Sequence, residues 1–342
     1  MRIFYIGPLW QGSTCRQRFE SLQESGHVVY PFDTEPYFPT FYRGLHSLIR
    51  RLGFGPRLSR MNADIVKRVA AFEPTLIWVD KGLLISPMTL MACRATAQRM
   101  ILLNYSPDDM VNPNNQTRYY LGSLSVYDVL VTTKVPNVAE LKAMGARDVR
   151  LVHNSYYESL HRPIPITEED RKRYGAKVSF VGFCEKERAQ SILHLADAGL
   201  GVRVWGPSWE NSTLKAHPNI RLECQALWGE EYIRVLCASD INLCFLRKEN
   251  RDTITARSIE IPACGAFMLA ERTNNHKSSF TEDVEAVYFG SDDELEAKVR
   301  YYSDNLEARR RIAAGGLERC LRSGYGFREV LDGLLASIVV AG

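Results

Sequence analysis

The feature that most constrains this chain is a recurrence of short apolar, β-branched runs bounded by Gly, Pro or Asp, many of them separated by helical stretches. Strand-length runs alternating with helix-length spacers are the pattern of βα units, and such units build parallel sheets. The pattern predicts strands over 2–6, 27–31, 76–80, 101–104, 129–133 and 150–152 in the first half. In the second half it predicts 178–182, 202–205, 220–223, 241–245, 266–269 and 286–289. Runs such as TLIWVD and VSFVG are apolar almost throughout, as in strands that helices cover on both faces. The fold class is therefore α/β, with two Rossmann-like, doubly wound domains.

The boundary is readable. Residues 153–177 carry two prolines, several charges and little periodicity, after which VSFVG restarts a sheet as RIFYIG began one. The division is 1–155, 156–320, and a C-terminal helix over 321–342 that packs back on the first domain. A length of 342 residues suits about two domains. A net charge of +3 is too balanced for a dedicated nucleic-acid binder. No apolar run approaches the roughly 20 residues of a membrane span. The start, MRIFYIGPLW, reads as a first strand rather than a secretion signal. The eight cysteines show no C-x-x-C spacing and the seven histidines no H-E-x-x-H. That predicts no metal site and a reduced, cytoplasmic protein.

Ligands of open α/β sheets bind beyond the carboxyl ends of the strands. In the first domain the loop G-P-L-W-Q-G-S-T-C-R (7–16) lacks G-x-G-x-x-G, so Asp33 after the second strand does not make an NAD site. Gly12 permits a tight loop, and Ser13 and Thr14 suit a helix N-cap. Arg16 and Arg18 either reach toward a ligand or lie on the surface of an amphipathic helix. Residues 36–63 contain no acid and five arginines (Arg43, Arg50, Arg51, Arg57, Arg60) among aromatic and aliphatic residues. They form an interfacial element for anionic lipid, a basic mouth for an anionic acceptor, or a helix packed on its own domain. Two strand ends carry acids: V-D-K-G (79–82), where Asp80 and Lys81 can pair, and S-P-D-D (106–109). Asp108 and Asp109 are either turn residues or groups that bind sugar hydroxyls or act as a base.

The second domain is more specific. Its first strand runs into G-F-C-E-K-E-R (182–188). Gly182 permits close approach, Phe183 follows it, and a helix beginning near Glu185 offers free N–H groups to phosphate. Lys186 and Arg188 sit in its first turn, against the helix dipole, which points to an anion unless Glu185 and Glu187 neutralise them. In N-R-D-T-I-T-A-R-S-I-E-I-P-A-C-G-A-F (250–267), Asp252 and Thr253 suit a helix cap, and Thr253 and Thr255 bring hydroxyls to the helix start. Glu260 lies in an apolar segment, where burial demands a partner: Arg257 three residues earlier, or a ligand hydroxyl.

This segment resembles the E-x7-E donor motif of retaining GT-B glycosyltransferases. With S-P-D-D (106–109), Y-D-V-L-V-T-T-K (127–134), R-S-I-E-I-P-A-C-G-A-F (257–267) and R-R-R-I-A-A-G-G-L-E-R (309–319), the chain is similar to the CgeB-like (spore-maturation-protein-like) glycosyltransferases from about residue 80 to 327. The resemblance implies a GT-B architecture, with two Rossmann-like domains facing a central cleft. It implies that Glu260 binds the ribose of a nucleotide sugar, Asp252 contacts the sugar, Thr253 and Thr255 lie by the diphosphate, and Lys186 or Arg188 is its basic partner. The first acid of the motif is Asp here, which shortens its reach.

The expected function is transfer of a sugar, hexosyltransferase-like, from a UDP- or GDP-type donor to a glycan, lipid-linked glycan or protein. It is retaining by resemblance and needs no cofactor or metal. Catalysis rests on Asp252, Arg188, Lys186 and Asp108. Gly182, Phe183, Thr253, Thr255, Arg257 and Glu260 hold the donor, and Gly12, Ser13, Arg16, Asp80, Lys81 and Asp109 face the acceptor. The basic block suggests contact with the inner face of a membrane. Rival readings are a non-catalytic nucleotide-sugar-binding protein and a GT-B enzyme acting on modified nucleic acid.

Overall fold

The computed structural model describes residues 1–38, 54–96, 99–210 and 212–340. The chain forms two compact units. The first comprises Met1–His153, Glu249–Arg251 and Val330–Gly342, and the second Asn154–Lys248 and Asp252–Glu329. Two stretches late in the sequence, Glu249–Arg251 and Val330–Gly342, thus belong to the first unit.

In the first unit the strands are β1 (Arg2–Gly7), β2 (Val28–Asp33), β3 (Leu76–Asp80), β4 (Ile101–Ser106), β5 (Val129–Thr132) and β6 (Val149–Leu151). They form one parallel sheet in the order β2-β1-β3-β4-β5-β6, so the winding reverses between β1 and β3. Its helices are α1 (Thr14–Glu24), α2 (Pro56–Phe72), α3 (Pro87–Ala95), α4 (Arg118–Ser123) and α5 (Val135–Ala143). α2 buries Leu58, Met61, Ile65 and Val69, an i, i+3, i+4 stripe, in a core shared with Phe4, Ile6, Phe32 and Ile77. Each such fully buried side chain is worth roughly 1.5–3 kcal/mol. Tyr5, Trp78 and Tyr105 stack in sequence across β1, β3 and β4, with centroids 5.9 and 5.5 Å apart.

In the second unit the strands are β7 (Val178–Val181), β8 (Val202–Trp205), β9 (Ile220–Leu222), β10 (Ile241–Cys244), β11 (Met268–Glu271) and β12 (Val287–Phe289). Their parallel order is β12-β11-β10-β7-β8-β9, the Rossmann order, with its reversal between β7 and β10. The helices are α6 (Glu168–Tyr174), α7 (Lys186–Asp197), α8 (Gly229–Ala238), α9 (Arg257–Ala263), α10 (Asn274–Ser279), α11 (Asp292–Asp304) and α12 (Leu306–Arg322). α13 (Phe327–Val340) begins here and passes into the first unit. One apolar cluster gathers Phe180, Ile192, Phe245, Leu269 and Leu295, and another Ile233, Ile259, Cys264, Met268 and Cys320.

All twelve expected strands form, most within a residue or two of their expected ends. β11 begins two residues later than the 266–269 reading. The helix before it ends on Gly265 at φ +65°, whose N–H bonds the Pro262 carbonyl while Ala266 N–H bonds that of Ile261. Closing the helix therefore consumes the first residues of the apolar run. No helix among the described residues is long and apolar enough to cross a membrane.

Candidate functional site

Beside the reversal point of the second sheet, two of the expected donor residues, Arg188 and Arg257, come together. β7 carries Phe180 into the core, and two guanidinium groups lie over its ring: Arg188 from α7 and Arg257 from α9, each 5.7 Å from the centroid. Arg188 is buried, and the Nε atoms of both arginines lack a hydrogen-bond partner among the described residues. Arg188 has modest support: the Phe183 carbonyl at 3.3 Å and Glu185 at 3.5 Å, a carboxylate also paired with Arg247 at 3.2 Å. Burial lowers the Arg188 pKa, against the pull of Glu185, and the neighbouring Arg257 lowers it further. Two cations drawn together, each with a buried Nε that has no partner among the described residues, suit neutralisation by an anion with several oxygens. Lys186, the first residue of α7, is exposed and makes no ion pair among the described residues. Phe183 is 59% exposed. A Cβ on Gly182 would stand 2.7 Å from the Phe180 ring, so packing alone explains that glycine. A pocket of about 370 Å³ opens beside Arg188, over the carboxyl ends of β10, β11 and β12, with Leu246, Lys248, Glu271 and Ser291 in its wall.

Asp252 and Thr253 do not cap α9 as expected. The N-cap is Ala256, without a side-chain bond, because the preceding residues fold into their own turn. Asp252 N–H donates to the Arg247 carbonyl at 3.1 Å, and Arg247 N–H returns to the Asp252 carboxylate at 3.3 Å. Asn275 donates to the Thr253 hydroxyl at 2.8 Å, and the Thr273 hydroxyl to the Thr253 carbonyl at 2.6 Å. Thr255 N–H donates to Ser258 Oγ at 3.1 Å, and Ser258 lies 2.7 Å from Nε2 of buried His276. His276 Nδ1 faces the Glu271 carbonyl at 2.6 Å, which only accepts, so Nε2 must take the Ser258 proton.

Glu260 is buried at 8% exposure. Its partner is not Arg257, which lies over Phe180, but Tyr232 of α8, whose hydroxyl donates at 2.8 Å. His161 Nε2 stands 3.7 Å from its other oxygen, and Tyr157 N–H donates to His161 Nδ1 at 2.9 Å. Burial lowers the His161 pKa, against Glu260, so the ring is neutral near pH 7 with its proton toward the carboxylate. Tyr232, His161, His276 and Phe180 are not among the residues that the sequence pattern singled out. Each sits in a segment that reads as core, linker or surface helix, and only a buried Glu260 in need of a partner hinted at any of them.

The first unit corrects several expectations. Asp80 does not pair with Lys81. It is buried in a bidentate pair with Arg18, with Nη2 at 2.6 Å and Nε at 3.1 Å, and takes the Tyr5 hydroxyl at 2.6 Å. Arg18 rather than Arg16 turns inward, because its position on α1 faces the sheet, and its guanidinium lies 4.5 Å above the Tyr105 ring. Arg16 pairs with Glu20 at 2.7 Å on the surface. Ser13 caps α1, accepting from Cys15 N–H at 3.1 Å, and Gly12 sits at φ +88° just before it. Lys81 pairs with Asp108 at 2.5 Å. Asp109, expected on the acceptor side, is 2% exposed and bound by Arg251 and Asn137. Of the acid-free block, residues 39–53 lie outside the described residues, while Arg57 and Arg60 open α2.

Residues 187–336 match the glycosyl transferase-like family model, a stretch that includes Arg188, Asp252, Arg257 and Glu260. The two six-stranded parallel sheets match structures of GT-B glycosyltransferases. The chain is similar to sucrose-phosphate synthase from Thermosynechococcus elongatus at 13% identity and TM-score 0.70, over 100% of each chain. It is similar to Anabaena HepE in complex with UDP and glucose at 12% identity and TM-score 0.64, over 99% of this chain and 100% of that one. A glycosyltransferase from Rickettsia africae ESF-5 gives 11% identity and TM-score 0.64, over 98% of this chain and 97% of that one. At these identities the likeness is one of fold. No curated protein matches the chain.

Proposed function

We propose that this protein is a glycosyltransferase of the CgeB-like kind, moving a sugar from a UDP- or GDP-type nucleotide sugar to a glycan, lipid-linked glycan or protein. The observation that carries the reading is the pair of arginines on Phe180, each with an open Nε, at the reversal point of a Rossmann-order sheet. In this reading Arg188 and Arg257 take the diphosphate, with Lys186 at the rim. Glu260, steadied by Tyr232, binds the ribose hydroxyls, and Asp252 and Thr253 contact the sugar and its phosphate. The arginines then meet the charge that develops on the leaving diphosphate, in a site that need not reorganise. Cationic side chains do this without a metal, and the motif resemblance favours retention of configuration.

The test is a thermal-shift screen of UDP-, GDP-, ADP- and dTDP-sugars, followed by calorimetry, since stabilisation follows ligand concentration over Kd. The fitting donor raises Tm, and Arg188→Ala weakens it by roughly 10- to 100-fold, the loss of one or two charge-assisted hydrogen bonds. Unchanged affinity in Glu260→Ala would remove the ribose assignment. Loss of transfer in EDTA would remove metal independence. Asp80, Asp108 and Asp109 all engage cations of their own, which keeps a second reading in play: donor binding without turnover. Release of nucleoside diphosphate on adding candidate acceptors separates the two.

A further inference from the structure

Arg251 sits one residue before Asp252 in the left-handed region, at φ +47°, where an arginine is strained. Its guanidinium closes on two carboxylates. Nε and Nη2 reach Asp109 at 2.6 and 2.8 Å, and Nη1 and Nη2 reach Glu140 at 2.9 and 2.8 Å. Buried Asn137 bridges the same carboxylates, donating to Asp109 at 2.8 Å and Glu140 at 3.1 Å. Burial alone would raise the Asp109 pKa, yet the hydrogen bonds from Arg251 and Asn137 lower it. Two carboxylates held this close repel unless a cation lies between them, so the socket is built for this guanidinium.

The flanking residues are held as well. Asp109 N–H donates to Asn250 Oδ1 at 2.8 Å, and Asn112 donates to the Glu249 carbonyl at 2.8 Å. Asn114 donates to the Glu249 carboxylate at 3.1 Å. The asparagine-rich stretch V-N-P-N-N-Q-T and the second acid of S-P-D-D thus share one task, gripping residues 249–251. Directly downstream, Thr253 is pinned from the other end by Thr273 and Asn275, Thr255 by Ser258, and Asp252 exchanges hydrogen bonds with the Arg247 backbone.

We propose that Arg251 is a positioning residue: its lock on Asp109 and Glu140 sets the turn that presents Asp252 and Thr253 to the donor. The inference rests on the donor reading above, but the lock is measurable without any donor. In the ligand-free protein, Arg251→Gln should speed hydrogen exchange at the Asp252 and Thr255 amides at least tenfold while exchange in both sheets is unchanged. Arg251→Lys, which keeps a charge for the socket, should restore part of that protection. With the donor found by the screen, Arg251→Gln should weaken binding about tenfold, and Asp252→Asn should cost less in that background than in the wild type. Unchanged exchange at Asp252 and Thr255, or exchange raised equally throughout the chain, overturns the lock. Faster exchange with wild-type donor affinity and additive effects with Asp252→Asn overturns its positioning role. If the wild type binds no nucleotide sugar, the donor reading and the positioning role both fall, while exchange still decides the lock.

Discussion

Two buried arginines differ at the residue scale in how their charge is met. Arg18 is nearly inaccessible, paired with Asp80 and stacked on Tyr105. Removing it leaves a buried carboxylate without its cation, so Arg18→Ala should cost about 3–5 kcal/mol in urea denaturation. Arg188 is also buried, but its Nε has no partner among the described residues and burial has lowered its pKa. Its carboxylate neighbour, Glu185, is partly exposed and also paired with Arg247, so losing Arg188 leaves no buried charge without a partner. Arg188→Met should therefore leave ligand-free stability within about 1 kcal/mol of wild type, or raise it, while weakening the donor. A loss as large as that of Arg18→Ala would make Arg188 a structural residue. Both arginines stand as one letter in an amphipathic helix pattern. Nothing in that pattern says which meets a buried carboxylate, because Asp80 lies far along the chain from Arg18.

The element that matters most is the turn leading into α9, tied to α10 through Ser258 and His276. Burial lowers the pKa of His276, and that of His161 beside Glu260, so both rings stay neutral in the fold. The unfolded chain takes up these protons near pH 6.5. Their stability is thus fully present above that value and is lost as pH falls below it. Protonated His276 no longer accepts from Ser258, so the turn should loosen in the same range. Tm and donor affinity should both fall between pH 7 and 5, and His276→Gln should remove its own share of that dependence, leaving that of His161. A wild-type Tm that is level across this interval would contradict the assignment. The strands were legible because period and length are local signals. The cap expected at Asp252 and Thr253 was not, because Arg247, Thr273 and Asn275 claim those groups first.

At the scale of the whole molecule, the chain returns late to its first unit. From Val330 onward α13 belongs there, with Leu331, Leu334, Leu335 and Ile338 buried. Asp332 meets Ser25 at 3.1 Å and His27 at 3.6 Å, at the turn between α1 and β2. At roughly 1.5–3 kcal/mol for each buried side chain, ending the chain before Val330 should remove several kcal/mol from the first unit. Hydrogen exchange should then quicken in β1 and β2 and hold in β7 and β8. Equal loss in both sheets would show that the helix supports the molecule generally.

The amino-acid sequence by itself determined twelve strands and two parallel sheets. Hydrophobic period, glycine and proline punctuation and a charged helix start are all written within a few residues of one another. Only the tertiary structure decided which charges meet. It gave Asp80 to Arg18, Asp109 to Arg251 and Glu260 to Tyr232, and left Arg188 and Arg257 side by side on Phe180. The reason is physical: a buried charge must find its partner in space, and sheet order, not chain order, sets what is near.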